Sequence, residues 1–175
     1  MFHFTGAHAM KTYQSAILVV EDDANDQELI KVAFGGLGLT SAVHFVNDGR
    51  EAIAYLMGDG KYSERTEYPY PSFIITDLKM PRASGFEVLE HLKANPAFAI
   101  IPTVVLTAST DPDDIKKSYA LGASSYDVKP HTLAELSSLI KVLHDYWMIC
   151  EVPEVNAAGK QPPTDPKGKL GEKFP

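Results

Sequence analysis

Apolar residues along this chain cluster into five short runs that alternate with longer stretches of mixed polarity. The runs are apolar at consecutive positions instead of at every second one, which is typical of strands buried on both faces of a parallel sheet. The fifth run is the least apolar of the five. The runs cover residues 16–20, 42–46, 73–76, 103–106 and 124–128. This pattern predicts five parallel strands.

Helix-starting signals lie between the runs. Residues 84–87 and 132–135 have the Ser/Thr-x-x-Glu spacing of capping boxes. Asp111 precedes a proline that would take the first helical position, and Gly122 is a typical residue for the end of the same helix. The two remaining helices are expected over residues 26–34 and 48–57. The chain is therefore predicted to form five helices, one after each strand.

Five strands that each lead into a helix predict one α/β domain over residues 14–150. Its core would be a doubly wound five-stranded parallel sheet with helices on both faces. Residues 1–13 are expected to form a flexible N-terminal segment, and residues 151–175, rich in proline and glycine, a tail. A long loop, 58–71, carries three tyrosines, which either contact a partner protein or pack onto the domain itself.

The composition narrows the classes of function. Hydrophobic residues make up 45% of the chain, as in a globular protein, and the formal net charge of −7 argues against binding to nucleic acid. No apolar run reaches the roughly 18 residues needed to span a membrane. A single cysteine, Cys150, excludes an internal disulfide, and the scattered histidines lack metal-ligand spacing. A cytoplasmic location is expected.

Polar residues that could bind a ligand or take part in a reaction follow four of the predicted strands. They are Asp22 and Asp23 after the first strand, Asp77 after the third, Thr107 after the fourth and Lys129 after the fifth. Ligands of open parallel α/β sheets bind beyond the carboxyl ends of the strands. The sequence therefore predicts that three carboxylates, a hydroxyl and an ammonium group converge at one edge of the sheet.

Such a set of groups suits phosphoryl chemistry. Crowded carboxylates repel one another and favour a hard dication, and Mg²⁺ prefers oxygen ligands. With that negative charge screened, one carboxylate can attack a phosphoryl donor and form an acyl phosphate. The ammonium and hydroxyl groups would then contact the phosphoryl oxygens.

Four stretches of the chain together resemble the motifs of bacterial response-regulator receiver domains. They are Val19-Val20-Glu21-Asp22-Asp23, Asp77-Leu78-Lys79-Met80-Pro81 with Gly85-Phe86-Glu87, Leu106-Thr107-Ala108-Ser109, and Gly122-Ala123 through Lys129-Pro130. The resemblance implies a flavodoxin-like fold with strand order 2-1-3-4-5. It also implies a phosphoacceptor signalling protein that is not an enzyme on other substrates and catalyses only its own phosphorylation and dephosphorylation.

The resemblance assigns the metal site and the acceptor. Asp77 would accept the phosphoryl group and contribute to binding Mg²⁺. Asp23 would bind Mg²⁺ directly, Asp22 mainly through water, and the backbone carbonyl of Lys79 would be a third protein ligand.

The resemblance also assigns the residues that respond to the phosphoryl group. Thr107 would hydrogen-bond to it and Lys129 would pair with it. Tyr126 matches the switch aromatic residue, which turns inward when Thr107 moves toward the phosphate. The bond between Lys129 and Pro130 would be a cis peptide.

The loop 58–71 and the small size of the chain are similar to single-domain regulators that pair with phytochrome histidine kinases. The implied partners are a sensor histidine kinase, possible second copies of the chain in a homodimer, and a downstream protein target. Neither nucleic acid nor a membrane is expected as a partner.

Four other classes fit the sequence less well. A phosphatase of the haloacid dehalogenase type needs a second aspartate two residues after its nucleophile, where this chain has Lys79. A flavodoxin-like cofactor binder needs a Ser/Thr-rich phosphate loop in place of the acidic residues after the first strand. A receiver-like module that acts without phosphate would have lost some of the acidic, threonine or lysine residues. A DNA-binding regulator needs a second domain, for which the residues after 150 are too few.

Overall fold

The computed structural model describes residues 16–38 and 43–150, and the predicted N-terminal segment and tail lie outside the described residues. Within these described residues, five strands, numbered in chain order, form one sheet in the order β2-β1-β3-β4-β5, and every neighbouring pair is parallel. The strands are β1 (Ala16–Val20), β2 (Val43–Val46), β3 (Pro71–Thr76), β4 (Thr103–Thr107) and β5 (Ser125–Val128). The predicted fold class and strand order are confirmed.

In the part of the chain that the structure describes, an α-helix follows each of the five strands, and a short 3₁₀ helix, Gly60–Ser63, precedes β3. The helices are α1 (Ala24–Gly35), α2 (Gly49–Met57), α3 (Gly85–Ala94), α4 (Pro112–Ala120) and α5 (Leu133–Ile149). The capping box at Ser84 is formed, and Asp111 caps α4 as predicted. No helix in the described part of the chain is both long and apolar enough to cross a membrane.

Two apolar layers enclose the sheet. Within β1, Ile17 and Val19 pack with residues of α1 and α5, whereas Leu18 and Val20 pack with residues of α2 and α3. A strand covered on both faces has no solvent-facing positions, which explains the continuous apolar run at 16–20. The carboxyl end of the sheet is left uncovered by these layers, so the polar residues that follow the strands lie at an accessible edge.

The loop 58–71 packs its tyrosines onto its own domain, which is the second of the two alternatives given for this loop in the sequence analysis. The Tyr62 ring is buried against Tyr55 and Tyr68, with ring centroids 5.0 Å away in both cases. The Tyr62 hydroxyl donates a hydrogen bond to the Glu51 carboxylate at 2.7 Å, where Lys61 also binds. Burial raises the pKa of Glu51, but the hydrogen bonds from Lys61, Asn47 and Tyr62 outweigh burial and lower it to about 2.

The guanidinium of Arg65 fixes the same loop to the end of α2. It donates hydrogen bonds at 2.8 Å to the carbonyls of Tyr55 and Leu56, in the last turn of the helix. Carbonyls in that turn have no partner within a helix, and a cation also suits the negative end of the helix dipole. Gly58 ends the helix with a left-handed φ of 75°, and a Cβ atom there would lie 2.7 Å from the Arg65 guanidinium.

Candidate functional site

A polar pocket opens at the carboxyl edge of the sheet, where β1, β3, β4 and β5 end. The structure brings all five predicted strand-end residues to this pocket, and Lys79 also lines it. The lining residues are Glu21, Asp22, Asp23, Asn25, Asp26, Asp77, Lys79, Thr107, Ala108, Ser109 and Lys129. The predicted convergence is therefore present in the fold.

Asp77 follows β3 and is nearly buried, with 9% of its surface exposed. One carboxylate oxygen, Oδ1, accepts a hydrogen bond from the backbone N–H of Leu78 at 2.6 Å. The other, Oδ2, lies 3.0 Å from the Lys129 ammonium nitrogen. The backbone N–H of Asp77 donates to the Val20 carbonyl, which continues the sheet pairing past the end of β3. The carboxylate is thus held in one orientation, with Oδ2 toward the lysine.

Three carboxylates converge beside this position. Glu21, Asp22 and Asp77 each offer one oxygen, and these oxygens lie within 4.8 Å of one another. Glu21 is 2% exposed, and burial raises its pKa to about 7 although the hydrogen bond from Lys129 lowers it. A buried carboxylate whose charge is disfavoured gains from a nearby cation. An all-oxygen donor set of this kind fits Mg²⁺.

Glu21 was not among the sequence-predicted site residues, and it occupies the place that the sequence analysis gave to Asp23. The backbone N–H of Glu21 still pairs with the Val46 carbonyl at 3.0 Å, so β1 delivers the Glu21 side chain to the pocket. The signal that could have identified it is the end of the apolar run at Val20, because Glu21 is the first polar residue after the strand.

The predicted role of Asp23 as a direct Mg²⁺ ligand does not match its geometry. Its Oδ1 accepts hydrogen bonds from the backbone N–H groups of Asn25 at 2.8 Å and Asp26 at 3.0 Å, so Asp23 is the N-cap of α1. This cap also explains why α1 begins at Ala24, two residues earlier than predicted. Among the described residues, the three-carboxylate cluster does not include Asp23.

Lys129 bridges three carboxylates. Its Nζ lies 2.6 Å from Asp26 Oδ2, 2.7 Å from Glu21 Oε2 and 3.0 Å from Asp77 Oδ2. Burial lowers the pKa of Lys129, but the hydrogen bonds to Asp26 and Glu21 and the charge of Asp77 outweigh burial and raise it. The ammonium group is therefore charged at neutral pH and lies at the centre of the pocket.

The peptide bond between Lys129 and Pro130 differs from the expectation. The described residues contain no cis peptide bond, so this bond is trans. The physical reason is the small energy difference between the two forms before proline, about 0.5–1 kcal/mol, which leaves the trans form readily accessible.

Thr107 and Tyr126 are linked through the segment that follows β4. Thr107 is buried, and its hydroxyl oxygen accepts a hydrogen bond from the backbone N–H of Ser109 at 3.4 Å. The Tyr126 hydroxyl donates to the Ser109 carbonyl at 3.0 Å, and its ring packs beside Leu78 and Val105. A shift of this segment would therefore move the hydrogen-bond partners of both side chains.

The side chain of Lys79 forms an ion pair with Asp114. Its Nζ lies 3.4 Å from Asp114 Oδ2, and the Ser109 hydroxyl donates to the same oxygen at 2.5 Å. The backbone N–H of Lys79 approaches Asp77 Oδ1 at 3.5 Å. The segment after β3 is therefore connected to the N-terminal turn of α4 by a side-chain ion pair.

Known relatives identify the family. Residues 17–141 match the response regulator receiver domain. FilR2 of Methanothrix harundinacea, described as a probable methanogenesis regulatory protein, is 34% identical over 132 residues, 75% of this chain and 83% of FilR2. Response regulator Rcp1 of Synechocystis sp. is 33% identical over 132 residues, 75% of this chain and 88% of Rcp1.

Solved structures share the fold. The phosphorylated cyanobacterial phytochrome response regulator RcpA is 34% identical with a TM-score of 0.75, covering 81% of this chain and 100% of RcpA. The Mn²⁺-bound form of Rcp1 is 32% identical with a TM-score of 0.72, covering 80% of this chain and 99% of Rcp1. The chain therefore belongs to the response regulator receiver domains, a family of signalling proteins. Within that family it is homologous to Rcp1 and RcpA.

Proposed function

We propose that Asp77 accepts a phosphoryl group from a sensor histidine kinase in a Mg²⁺-dependent reaction, and that the phosphorylated chain signals through altered protein contacts. One observation carries this proposal: Asp77 Oδ2 faces the Lys129 ammonium while the same side chain belongs to the Glu21, Asp22 and Asp77 cluster. A nucleophile, a cation and a set of metal ligands thus meet at one carboxylate.

The proposed reaction transfers a phosphoryl group to Asp77 and later to water. An Asp77 carboxylate oxygen attacks phosphorus, the bond between phosphorus and the donor nitrogen or oxygen breaks, and an aspartyl phosphate forms. Later, water attacks phosphorus and releases inorganic phosphate and the free carboxylate. Lys129 would neutralise phosphoryl charge, and the Thr107 hydroxyl would donate a hydrogen bond to a phosphoryl oxygen. The chain would therefore catalyse only its own phosphorylation and dephosphorylation.

Mg²⁺ would be held by Glu21, Asp22 and Asp77, with the backbone carbonyl of Lys79 as a further ligand. The ion supplies positive charge that screens the carboxylates from the incoming phosphoryl group. The Mn²⁺-bound structure of Rcp1 supports a divalent ion in this family.

The ligand assignment predicts which substitutions weaken metal binding. Glu21→Gln and Asp22→Asn should each lower Mg²⁺ affinity by about tenfold or more, because each removes an anionic oxygen ligand. Asp23→Asn should keep affinity within about threefold, since asparagine also caps a helix well and the residue is outside the cluster. Isothermal titration calorimetry with Mg²⁺ measures all three. An equal loss in Asp23→Asn and Asp22→Asn would restore the role first assigned to Asp23.

The acceptor is tested by intact mass after incubation with Mg²⁺ and acetyl phosphate. The unmodified chain should gain the mass of one phosphoryl group, because acetate leaves as Asp77 attacks phosphorus. Asp77→Asn should gain none, since an amide oxygen is a poor nucleophile. Asp113→Asn, an exposed aspartate at the start of α4, is the control and should gain the group normally. The absence of any gain in the unmodified chain would favour a receiver that acts without phosphate.

The partner assignments rest on the relatives. RcpA is a phytochrome response regulator, and its similarity supports a phytochrome-type histidine kinase as the donor for this chain. A downstream protein, or a second copy of the chain, would bind the phosphorylated form. The single cysteine is consistent with the reducing cytoplasm, where we place the protein.

The output surface would be the face formed by α4, β5 and α5. Phosphorylation adds nearly two negative charges at the carboxyl edge of the sheet. Thr107 would follow the phosphoryl group, and Tyr126 would exchange its bond to the Ser109 carbonyl for an inward position. Such a switch shifts a pre-existing equilibrium between two conformations.

A further inference from the structure

Asp26 occupies a position in the pocket that the proposed reaction leaves without a role. It lies in the first turn of α1, and its Oδ2 is 2.6 Å from the Lys129 ammonium nitrogen. It is absent from the carboxylate cluster formed by Glu21, Asp22 and Asp77. Its contribution to the site therefore acts through Lys129.

All three N–H donors of the Lys129 ammonium group already have carboxylate acceptors. A lysine ammonium carries three N–H donors, and three carboxylates already surround it. A phosphoryl group on Asp77 brings several new acceptor oxygens to the same place. The Asp77 carboxylate loses its own charge when it becomes an acyl phosphate, so the phosphoryl oxygens then compete with Glu21 and Asp26 for the donors of Lys129.

The two remaining carboxylate partners, Glu21 and Asp26, differ in how easily they can be released. The side chain of Glu21 is 3% exposed, whereas that of Asp26 is 36% exposed. A carboxylate that loses its cation recovers more hydration when it can reach water. Asp26 is therefore the partner that Lys129 releases at the lowest cost in free energy.

Asp26 itself is fixed in place by the start of α1. Its backbone N–H donates to Asp23 Oδ1 at 3.0 Å, within the cap of the helix. A carboxylate in the first turn is also favoured by the helix dipole. The negative charge of Asp26 is thus held at one side of the pocket whether or not Lys129 remains bound to it.

We propose that Asp26 is a positioning residue that draws the Lys129 ammonium toward α1 and thereby opposes the phosphorylated state. This inference rests on the proposed phosphorylation of Asp77. Two effects act in the same direction: Asp26 competes with the phosphoryl oxygens for Lys129, and its own charge repels them. The side chain therefore limits how long the aspartyl phosphate persists.

The lifetime of the aspartyl phosphate tests this proposal. Asp26→Asn should lengthen it by about two- to fivefold, the size expected for the loss of one partly exposed ion pair. The same variant should bind beryllium fluoride, a mimic of the phosphoryl group, more tightly by a similar factor at saturating Mg²⁺. Asp26→Glu, which keeps the charge within reach of Lys129, should return both quantities toward those of the unmodified chain.

A charge-matched control separates a specific contact from a general effect of charge. Glu28→Gln removes one negative charge from an exposed site on the same helix, where Glu28 lies 3.8 Å from Lys31. It should leave lifetime and beryllium fluoride affinity unchanged. The proposal is overturned if Asp26→Asn behaves like Glu28→Gln, whether both change or neither does.

A second readout follows Lys129 directly and distinguishes the two possible failures. In the unphosphorylated chain, the protons of the Lys129 ammonium should exchange with water faster in Asp26→Asn than in the unmodified chain. The ¹⁵N signal of Lys129 Nζ measures this exchange. Unchanged exchange would show that Asp26 does not hold the ammonium and would overturn this inference alone. A chain that gains no phosphoryl group would overturn the proposed function and with it the role of Asp26 in opposing phosphorylation, even if the exchange rates differ.

Discussion

Replacing Gly85 with alanine is expected to destabilise the fold by about 3 kcal/mol or more and to displace the acceptor aspartate. A Cβ atom at this position would lie 2.0 Å from the Asp77 carbonyl oxygen and 3.0 Å from the Leu78 Cα atom. Both are backbone atoms, so no side-chain rotation relieves the overlap. The backbone N–H of Gly85 also donates to the Leu78 carbonyl at 3.0 Å, which fixes α3 against the segment after β3.

Urea denaturation measures this loss, and acetyl phosphate labelling measures its effect on the acceptor. Gly35→Ala is the matched control, because nothing lies within 4 Å of a Cβ atom there and the residue ends α1. The control should be neutral or more stable by about 0.5 kcal/mol. If Gly85→Ala unfolds within about 1 kcal/mol of the unmodified chain, the close approach of α3 to Asp77 is wrong.

Lys129→Met is expected to cost about 2–4 kcal/mol at neutral pH, because it leaves buried carboxylates without their cation. The Glu21 carboxylate loses the most stabilisation, since its side chain is 3% exposed and the Lys129 ammonium is 2.7 Å away. The pKa of Glu21 is already about 7 because of burial, and losing Lys129 removes a group that lowers it. The unfolded pKa of a glutamate is near 4.5. Below about pH 7 Glu21 is protonated in both folded chains. The loss of stability relative to the unmodified chain should therefore grow as pH rises above about 7, where Glu21 ionises in the unmodified chain but its further raised pKa keeps it protonated in Lys129→Met.

Urea denaturation of both chains below and above this pH measures the loss of unfolding free energy in Lys129→Met. Lys31→Met is the control: Lys31 is an exposed lysine 3.8 Å from Glu28, and its loss should cost no more than about 0.5 kcal/mol. Added Mg²⁺ should recover part of the stability of Lys129→Met, since the ion supplies positive charge to the same carboxylates. A deficit that is independent of pH would mean that Glu21 does not depend on Lys129.

The sequence predicts the elements of this fold well because burial on both faces produces continuous apolar runs. Residues 16–20 and 103–106 match β1 and β4 closely for that reason. The order of the strands has a different origin. Apolar runs do not specify which strands are neighbours, so the order 2-1-3-4-5 follows from the family resemblance alone.

The site was predictable where a residue lies directly at a strand end and less so where the chain turns. Asp77, Thr107 and Lys129 meet this condition, and all three line the pocket. The turn from β1 into α1 takes only three residues, so neighbouring acidic residues there have different surroundings. For that reason Glu21 was missed, and Asp23, which was predicted to bind Mg²⁺ directly, lies at the pocket as the N-cap of α1. Asp26 was missed because its contact with Lys129, 103 residues away in the sequence, depends on tertiary packing, which no short motif encodes.

The close approach of Gly58 to the Arg65 guanidinium leads us to expect that these two positions covary among homologues. A side chain at position 58 would displace the Arg65 guanidinium from the carbonyls of Tyr55 and Leu56. Those carbonyls at the end of α2 would then need water as their hydrogen-bond donor. Homologues that retain arginine at 65 are therefore expected to retain glycine at 58. In homologues without the arginine the steric restriction is gone, and only the left-handed φ of 75° still favours glycine there. This covariation would mark which relatives share the folded loop, independently of their phosphorylation chemistry.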